Sequence, residues 1–404
     1  MLEIKPFRGV LYDASRVRIE EVVTPPYDVI SPREREFYKS LSPYNMVYLL
    51  LEPNYPKAAE RFRKWLMEGV LRQDDRPAIY VYRQEFPHGG RKVARLGFIA
   101  RMRIADGDEL MPHENTFEGP KMDRLKLLQH VRANLSPIFS VFDDPQNHVE
   151  SLLREVIRGT RPRVNVQIEG VIHQMWSVDE EEIIRKIAER LSRSYAFIAD
   201  GHHRYESARM YRDLMRSKLP RHTGEEPFNF VMSYFVSVSD EGLIILPTHR
   251  ILVGADSEEI RRRIEKFFKS EVVRDLDEMF ERMRERAGEK SPPIGLYDGE
   301  VFRVLTLRDS SSLNDHSVPE VLRDLDVTVL HLLLIPPEGD LRFTRDPLEV
   351  LRGVRSTPSS FGFFLNPIDP GKVKEIALAG ERMPHKSTYF YPKPLSGLVI
   401  NKHD

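Results

Sequence analysis

The most informative absence in this sequence is that of cysteine, since its 404 residues include none. Disulfide bonds, thiolate metal sites and cysteine nucleophiles are therefore excluded from its stability and its chemistry. An excess of one charge is also missing, because 61 lysine and arginine residues stand against 62 aspartate and glutamate residues. A protein held to nucleic acid by bulk charge needs a basic excess, so we do not expect a nucleic-acid partner.

Long apolar runs are absent as well. No stretch approaches the ~20 apolar residues of a membrane-spanning helix, and the start of the sequence, Met1–Lys5, lacks the pattern of a signal peptide. We therefore expect no membrane partner, and a cytoplasmic location fits these absences best. The length is enough for roughly two or three domains with at least one sizeable core. Composition leaves a homodimer open.

What the sequence does contain is a polar turn between a buried strand and a helix. Residues 195–199 are apolar without interruption, which predicts a buried strand, and apolar residues spaced by three and four predict a helix over 205–219. Free N–H groups and the helix dipole make such a corner an anion site. We predict that Gly201, His202, His203 and Arg204 bind phosphate, with glycine allowing close approach and arginine forking onto oxygens. A capped helix with solvated polar residues is the alternative.

Other polar clusters interrupt apolar elements, and an ordinary solvated loop is the alternative for each. His113-Glu114 lacks the second histidine of an HExxH zinc helix, so we reject a metalloprotease and leave the metal ligands unknown. An open α/β sheet gathers its ligand groups where strands end and helices start. We therefore predict that the clusters converge on one pocket, where basic groups are balanced by carboxylates and a bound phosphate. These clusters are 27–28, 113–116, 123–124, 200–204, 248–250 and 385–393.

Local patterns also predict the framework around these clusters. A nearly continuous apolar run predicts a strand over 45–51, and an amphipathic pattern predicts a helix over 55–72. The character of the sequence changes near Gly254, where a long and highly charged helical region follows. We therefore predict one domain over 1–254 and a second, smaller α+β domain over 255–404. The tail of the second domain, residues 380–394, is predicted to return to the site.

The ordered motifs resemble a bacterial and archaeal family known as domain of unknown function 1015, whose members are often labelled ParB-like. The resemblance spans essentially the whole chain. The motifs are Thr-Pro-Pro-Tyr-Asp-Val-Ile-Ser at 24–31, His-Glu-Asn-Thr at 113–116, Asp-Arg at 123–124, Ile-Ala-Asp-Gly-His-His-Arg-Tyr-Glu at 198–206, Leu-Pro-Thr-His-Arg at 246–250 and Met-Pro-His-Lys-Ser-Thr-Tyr-Phe-Tyr-Pro-Lys at 383–393. Genes of this family often lie near serine-biosynthesis genes.

The central turn is also similar to the Gly-x-[His/Arg]-Arg turn of the ParB/sulfiredoxin superfamily. That turn binds phosphates of CTP in ParB, of ATP in sulfiredoxin and of ADP in the archaeal free-serine kinase. The resemblance implies a mixed α/β chain with a ParB/sulfiredoxin-like nucleotide-binding core, ATP or ADP with Mg²⁺ as cofactors, and Asp200 at the reacting or metal-bound end. Sulfiredoxin's essential cysteine and ParB's helix-turn-helix are not found here. The kinase fits best, because its turn also begins with Asp-Gly-His.

The first functional hypothesis is phosphoryl transfer from a nucleotide to a small hydroxylated metabolite, with free serine as the leading acceptor. Such transfer needs charge neutralisation and positioning more than covalent chemistry. The candidate catalytic residues are Asp28, Glu114, Asp200 and His202. The candidate substrate-binding residues are Tyr27, His113, Thr116, Arg124, His249, Arg250, Lys386, Ser387, Thr388 and Lys393.

Two alternatives remain beside this hypothesis. The first is a ParB-like nucleotide-binding switch that regulates a protein or DNA partner. The second is a metal-assisted phosphatase in which Asp200, His202 and His203 are the ligands.

Overall fold

A computed structural model describes residues 2–106, 110–112, 118–219, 221–287, 289, 291–316, 318–336 and 339–403, with the backbone alone for 110–112 and 314–316. The chain divides into two units. Unit 1 consists of Met1–Pro112, Thr116–Ile244 and Pro392–Asp404, and unit 2 consists of His113–Asn115 and Ile245–Tyr391. The boundary after residue 254 and the return of the tail 380–394 stay predictions.

In the described part of unit 1, the central feature is a nine-stranded mixed sheet. The first strands along the chain are β1 Ile4–Lys5, β2 Val10–Tyr12, β3 Leu71–Gln73, β4 Ile79–His88, β5 Arg91–Arg103, β6 Leu110–Pro112, β7 Ala133–Asn134, β8 Ile138–Phe142, β9 Val164–Ile168, β10 Val171–Val178, β11 Ala196–Asp200 and β12 Phe230–Ser237. The sheet order is β6-β11-β8-β12-β5-β4-β10-β9, with β1 beside β5. The pairs β6/β11 and β8/β12 are parallel, which gives the sheet its mixed character.

The described part of unit 1 also contains α-helices. Two short 3₁₀ helices also lie here, at Tyr27–Val29 and Pro227–Asn229. The α-helices are α1 Ile19–Val22, α2 Pro32–Leu41, α3 Val47–Leu50, α4 Tyr55–Met67, α5 Glu118–Val131, α6 His148–Ile157, α7 Glu181–Leu191 and α8 His202–Lys218. The helix predicted over 55–72 is confirmed as α4 only as far as Met67, because residues 71–72 belong to β3. Asn54 caps α4 by accepting a bond from the Lys57 N–H at 3.1 Å.

The strand predicted over 45–51 is wrong, because α3 occupies this stretch. Asn45 explains the difference: its side chain accepts from the Val47 N–H at 2.9 Å and donates to the Glu21 carbonyl at 2.7 Å. These bonds stabilise a helical turn where the apolar run is too short to show any period.

The core of unit 1 fixes the strand end that carries the central turn. Strand β12 is buried along its whole length, and β11 is buried up to Ala199. Buried residues of α8, among them Tyr205, Ala208 and Tyr211, belong to the same apolar cluster as those of the strands. Burying each large apolar side chain contributes about 1.5–3 kcal/mol, so both the strand and the helix that flank the turn are firmly held.

Unit 2 is built on an antiparallel sheet with the order β15-β17-β16-β19-β14-β18. The remaining strands are β13 Ile244–Leu246, β14 His249–Val253, β15 Phe268–Val273, β16 Ile294–Tyr297, β17 Phe302–Leu307, β18 Asp340–Thr344, β19 Phe361–Phe364, β20 Tyr389–Tyr391 and, in unit 1, β21 Asn401–Lys402. The remaining α-helices are α9 Ser257–Phe267, α10 Leu276–Glu285, α11 Asp326–Val329, α12 Pro347–Ser356 and α13 Pro370–Leu378. Unit 2 also contains 3₁₀ helices at Ser310–His316 and Glu320–Leu322 and a π-helix at Leu330–Leu334. Mixed α/β architecture is therefore confirmed. Across the described ranges, every helix is too short or too polar to cross a membrane.

Candidate functional site

The central turn is a strand-to-helix corner, as predicted. Strand β11 ends at Asp200, and its register with β8 shifts between Ile198 and Asp200. Gly201 has a φ of 94° and serves as the N-cap of the 17-residue helix α8, with no side-chain cap. The N–H groups in the first turn of a helix lack intrahelical acceptors, so this corner presents donors and the positive end of the dipole. An anion is the ligand that such a corner favours.

Replacing Gly201 with alanine is expected to lower the free energy of unfolding by about 2–3 kcal/mol. The left-handed conformation costs an L-residue ~1–2 kcal/mol, and a Cβ atom here would lie only 2.9 Å from the Arg204 guanidinium. Chemical denaturation measures the change. Gly159→Ala is the matched control, since Gly159 has a φ of 73° and no atom within 4 Å of its Cβ position. Equal losses in the two variants would contradict the contact with Arg204.

Arg204 bonds to Asp200 within the corner and to the residue just before β8. Its Nη2 donates to Asp200 Oδ2 at 2.6 Å, and its Nη1 donates to the Pro137 carbonyl. The side chains of Arg204 and Asp200 are only 10% and 13% exposed. The guanidinium predicted to fork onto phosphate is therefore already bonded within unit 1, where it holds the Asp200 carboxylate in place.

Lys393 joins two carboxylates that lie far apart in the sequence. Its Nζ is 3.1 Å from Asp28 Oδ2 and also donates to Asp200 Oδ1. The Lys393 side chain is 9% exposed. Asp28, Lys393, Asp200 and Arg204 thus form a row of alternating charges beside the N-terminus of α8. Opposite charges at this spacing attract one another and hold the four side chains together.

Backbone pairing places Asp28 and Lys393 beside each other. The Thr24 N–H donates to the Ser396 carbonyl at 3.2 Å, and the Ser396 N–H donates to the Thr24 carbonyl at 2.8 Å. The Ser136 hydroxyl donates to the Ser396 hydroxyl at 2.6 Å. These bonds align the segment after Pro25 with the tail, so Asp28, in the 3₁₀ turn, faces the Lys393 side chain.

Arg124 and Tyr27 form a second part of the site. The Arg124 guanidinium carbon lies 4.1 Å from the centre of the Tyr27 ring, and its Nη1 donates to the Leu50 carbonyl at 2.8 Å. Burial, followed by the charge of Asp28, raises the pKa of Tyr27 to about 12, so its hydroxyl stays neutral. Such a cation–π stack desolvates the arginine and fixes its plane.

A cavity of ≈ 60 Å³ lies next to this pair. Its polar lining consists of Tyr27, Arg124, Asn134, Ser136, Arg204 and Ser207, and its apolar lining consists of Leu50, Leu127, Leu128, Ala133, Leu135 and Val231. Pockets for drug-sized ligands have roughly 300 Å³ or more. A nucleotide on the turn must therefore lie mostly outside this cavity.

A model of the family described as "Protein of unknown function (DUF1015)" matches residues 4–328. The chain belongs to this family. Of the motifs that suggested it, those up to Arg250 lie within the matched range, and the tail motif at 383–393 lies beyond it. No curated protein matches this DUF1015 chain.

Several solved structures are similar to the DUF1015 chain at low sequence identity. A conserved hypothetical protein from Pyrococcus furiosus has 15% identity and a TM-score of 0.35 over 71% of this chain and 90% of its own. A point mutant of free serine kinase in complex with AMP has 12% identity and a TM-score of 0.36 over 72% and 90%. SbnI with a C-terminal truncation, from Staphylococcus aureus, has 11% identity and a TM-score of 0.37 over 74% and 85%.

The two histidines of the turn have different surroundings in the DUF1015 chain. His202 is buried at the first position of α8, with 8% exposure, and His203 is partly exposed. The His203 carbonyl accepts from the Ser207 hydroxyl at 2.7 Å, which stabilises the first turn. Among the described residues, no three histidine, aspartate or glutamate side chains form a metal-binding group. This arrangement gives no support to a phosphatase with Asp200, His202 and His203 as ligands.

Several of the predicted residues of unit 2 are held by hydrogen bonds within unit 2. Arg250, fully buried, donates to the Thr248 carbonyl and to the Lys386 carbonyl at 2.9 Å. Ser387 donates its hydroxyl to the Pro384 carbonyl at 2.6 Å. Burial, followed by the charge of Arg250, lowers the pKa of His249 to about 4, so its ring is neutral and accepts from the Leu365 N–H. Thr388 follows Ser387 in the sequence, and the convergence of both units on one pocket stays a prediction.

Three predicted residues, His113, Glu114 and Thr116, lie outside the described residues. The sequence reading also missed Gln84 and Arg95, polar residues with 0% exposure on neighbouring strands. A signal for Gln84 was present, because it shares a strand face with Tyr82 and Phe86, both buried. A polar side chain on a buried face needs a hydrogen-bond partner, so the sequence pattern predicts such a partner for Gln84.

Proposed function

We propose that this DUF1015 chain is a phosphotransferase that moves a phosphoryl group from a nucleotide to a small hydroxylated metabolite. The observation that carries the proposal is the row Asp28–Lys393–Asp200–Arg204 at the N-terminus of α8. Phosphoryl transfer needs an anion site, cations near the transferring group and a base for the acceptor hydroxyl. Residues of unit 1 support each of these roles in the proposal, namely the corner at 201–204, the cations Lys393 and Arg124, and the carboxylate of Asp28.

The anion site is the corner at 201–204. Because Gly201 has no side chain, nothing from the N-cap residue itself covers the first-turn N–H groups. Backbone donors and the helix dipole there suit the phosphates of ATP or ADP. Lys393 and Arg124 add positive charge that could compensate the charge developing on the phosphoryl oxygens.

The two carboxylates have different roles in this proposal. Asp200 is held by two cations, Arg204 and Lys393, and its side chain is 13% exposed. Asp28 has Lys393 as its cationic partner and a side chain that is 27% exposed. Asp28 is therefore the better base for an acceptor hydroxyl that arrives from solvent, and Asp200 anchors the two cations.

A protein-held Mg²⁺ does not fit the described residues at this corner. The Lys393 ammonium already lies between Asp28 and Asp200, where a cation shared by two carboxylates would lie. Mg²⁺ is commonly held by substrate phosphates and water, so we propose that it enters with the nucleotide. The acceptor to test first is free serine, because the Asp-Gly-His turn is similar to that of the archaeal free-serine kinase.

A nucleotide-binding switch is the second candidate, and the Arg204–Asp200 bond favours it. A phosphate that draws Arg204 away from Asp200 would free one end of the charge row. A ligand shifts a conformational equilibrium only through such differential contacts. The switch would act on a protein or DNA partner without transferring phosphate.

The deciding experiment incubates the purified chain and Mg²⁺ with ATP or ADP and a mixture of hydroxylated metabolites that includes serine. Mass spectrometry then detects any phosphorylated product. A product that depends on both nucleotide and chain supports the phosphotransferase. Tight nucleotide binding without any product supports the switch, and the absence of both contradicts the anion site.

Replacing Arg204 with alanine is expected to weaken nucleotide binding by about 1.5–3 kcal/mol. The variant loses affinity for two reasons. It removes a charged donor near the phosphates, and it removes the bond that orients Asp200. Titration calorimetry measures the affinity. Arg209→Ala is the control, since Arg209 lies on the same helix, is 50% exposed and pairs with Glu206. An affinity in Arg204→Ala equal to that of the control would remove Arg204 from the site.

A further inference from the structure

The inner face of the sheet in unit 1 contains a buried arginine, Arg95, on β5. It is directly opposite Gln84 of β4 in the strand register, and both side chains have 0% exposure. One Arg95 nitrogen, Nη2, donates to the Gln84 side-chain oxygen and to the Pro392 carbonyl. The guanidinium carbon also lies 4.7 Å from the centre of the Phe139 ring. The ring and the hydrogen bonds together fix the plane of the guanidinium.

Burying a guanidinium costs free energy because the charge loses its hydration. A protein with an apolar side chain at such a position is often equally stable or more stable. A buried arginine is thus weak evidence for stability, and its hydrogen-bond partner is the better guide to its role. Here the partners are the Gln84 side chain and the Pro392 carbonyl, which belongs to the backbone of the tail.

Two more hydrogen bonds join the C-terminal segment around Lys393 to the same face. Gln84 Nε2 donates to the Lys393 carbonyl at 3.2 Å, and the Leu395 N–H donates to the Tyr82 hydroxyl oxygen at 3.5 Å. The Tyr82 hydroxyl lies 2.6 Å from His173 Nδ1. Burial lowers the pKa of His173 to about 3, so the ring is neutral and can accept a hydrogen bond from the Tyr82 hydroxyl.

These contacts hold the backbone on both sides of the Lys393 side chain. A free lysine side chain samples many rotamers and loses up to ~2 kcal/mol of entropy when it is fixed. Lys393 nevertheless reaches both Asp28 and Asp200 with a side chain that is 9% exposed. The carbonyls of Pro392 and Lys393 are already fixed by hydrogen bonds. Less conformational entropy is therefore lost when the Lys393 side chain bridges the two carboxylates.

We infer that Arg95 and Gln84 are positioning residues, which hold the tail backbone so that the Lys393 ammonium lies between Asp28 and Asp200. Arg95 and Gln84 lie on the sheet, and they influence Lys393 through their bonds to each other and to the backbone of Pro392 and Lys393. The inference rests on the proposed function only where turnover is concerned, because the position of Lys393 can be measured without any nucleotide.

The test measures how fast Lys393 is acetylated by a sulfo-N-hydroxysuccinimide ester, with peptide mass spectrometry as the readout. In the wild type, Lys393 is expected to react at least tenfold more slowly than Lys92, which is 80% exposed. Gln84→Met and Arg95→Met keep most of the side-chain volume and remove the bonds to the tail. Each is expected to raise the rate at Lys393 about five- to tenfold, the effect of one lost hydrogen bond.

Arg101→Met is the matched control. Arg101 lies on the same strand, donates to the Pro6 carbonyl at 3.2 Å and has its guanidinium carbon 5.3 Å from the centre of the Phe230 ring, but its bond is not to the tail. It is expected to leave Lys393 protected. Unchanged protection in Gln84→Met and Arg95→Met would overturn the inference, and so would an equal loss in the control, which would show general loosening. If Arg95→Met does not fold, Gln84→Met decides alone.

A kinetic measurement separates this inference from the proposed function. If the chain transfers phosphate, Gln84→Met should lower kcat with little change in the KM for nucleotide, because Gln84 acts on Lys393 rather than on the anion site. If the wild type transfers no phosphate, the proposed function fails while the acetylation rates still decide the position of Lys393.

Discussion

An Asp28→Asn variant is expected to transfer phosphate about 10²- to 10⁴-fold more slowly than the wild type, the range that a general base contributes. Asparagine keeps the size of the side chain and can still accept a bond from Lys393, but it cannot take a proton from the acceptor. Nucleotide affinity should change little, because the anion site at 201–204 is untouched. Single-turnover kinetics with a saturating acceptor measures the rate directly.

The control for Asp28→Asn is Asp74→Asn. Asp74 is also a mostly buried carboxylate of unit 1, paired with Arg163 at 2.7 Å, and it bonds to the Tyr80 hydroxyl. It should retain near wild-type turnover, so a drop shared by both variants would indicate damage to the fold. A rate within tenfold of the wild type in Asp28→Asn would assign the base to another residue.

A Lys393→Met variant is expected to lose about 3 kcal/mol or more of its free energy of unfolding. The methionine fills the same space but leaves Asp28 and Asp200 facing each other without the ammonium between them. Breaking a buried ion pair from one side is costly because the remaining charge keeps its desolvation penalty. Urea denaturation measures the loss. Lys92→Met, which removes an exposed lysine, should cost less than about 1 kcal/mol.

The origin of this loss can be isolated with a double-mutant cycle. If the cost comes from the carboxylates that have lost the ammonium, Asp200→Asn introduced into Lys393→Met should cost less than it does in the wild type. Additive losses would show that Lys393 contributes through packing alone. Nucleotide binding by the same variants then reports whether the cation also serves the phosphates.

The strand, the turn and helix α8 could be predicted from sequence because their signals are local. An apolar run, the Asp200-Gly201 break and a helical period all lie within about 25 residues, and the structure follows them. The same locality could have revealed the Arg204–Asp200 pair, since residues four apart next to a helix start are close enough to bond. The sequence reading instead assigned Arg204 to phosphate alone.

The partners of Asp28 could not be predicted in this way. Its bond to Lys393 spans 365 residues, and no period or turn signal connects such distant positions. Residue type indicated that both belong to polar clusters, but the pairing depends on how β4, β5 and the tail pack. The error at 45–51 has a related cause, because Asn45 forms its stabilising bonds with a residue outside the run as well as with one inside it.

Unit 1 is made of segments that are not contiguous in the sequence, and this affects when its charge row can form during synthesis. Residues 392–404 belong to unit 1 but follow all of unit 2, so a ribosome must synthesise unit 2 before Lys393 can meet Asp28. Contacts of such high sequence separation form late, after the entropy of closing a long loop has been overcome. During synthesis, the nascent unit 1 would therefore expose two carboxylates without their ammonium. A transcript that ends within the coding region of unit 2 would yield a product that contains the Asp200–Arg204 pair but lacks Lys393. The contact of Lys393 with Asp28 therefore shows that translation has passed through unit 2.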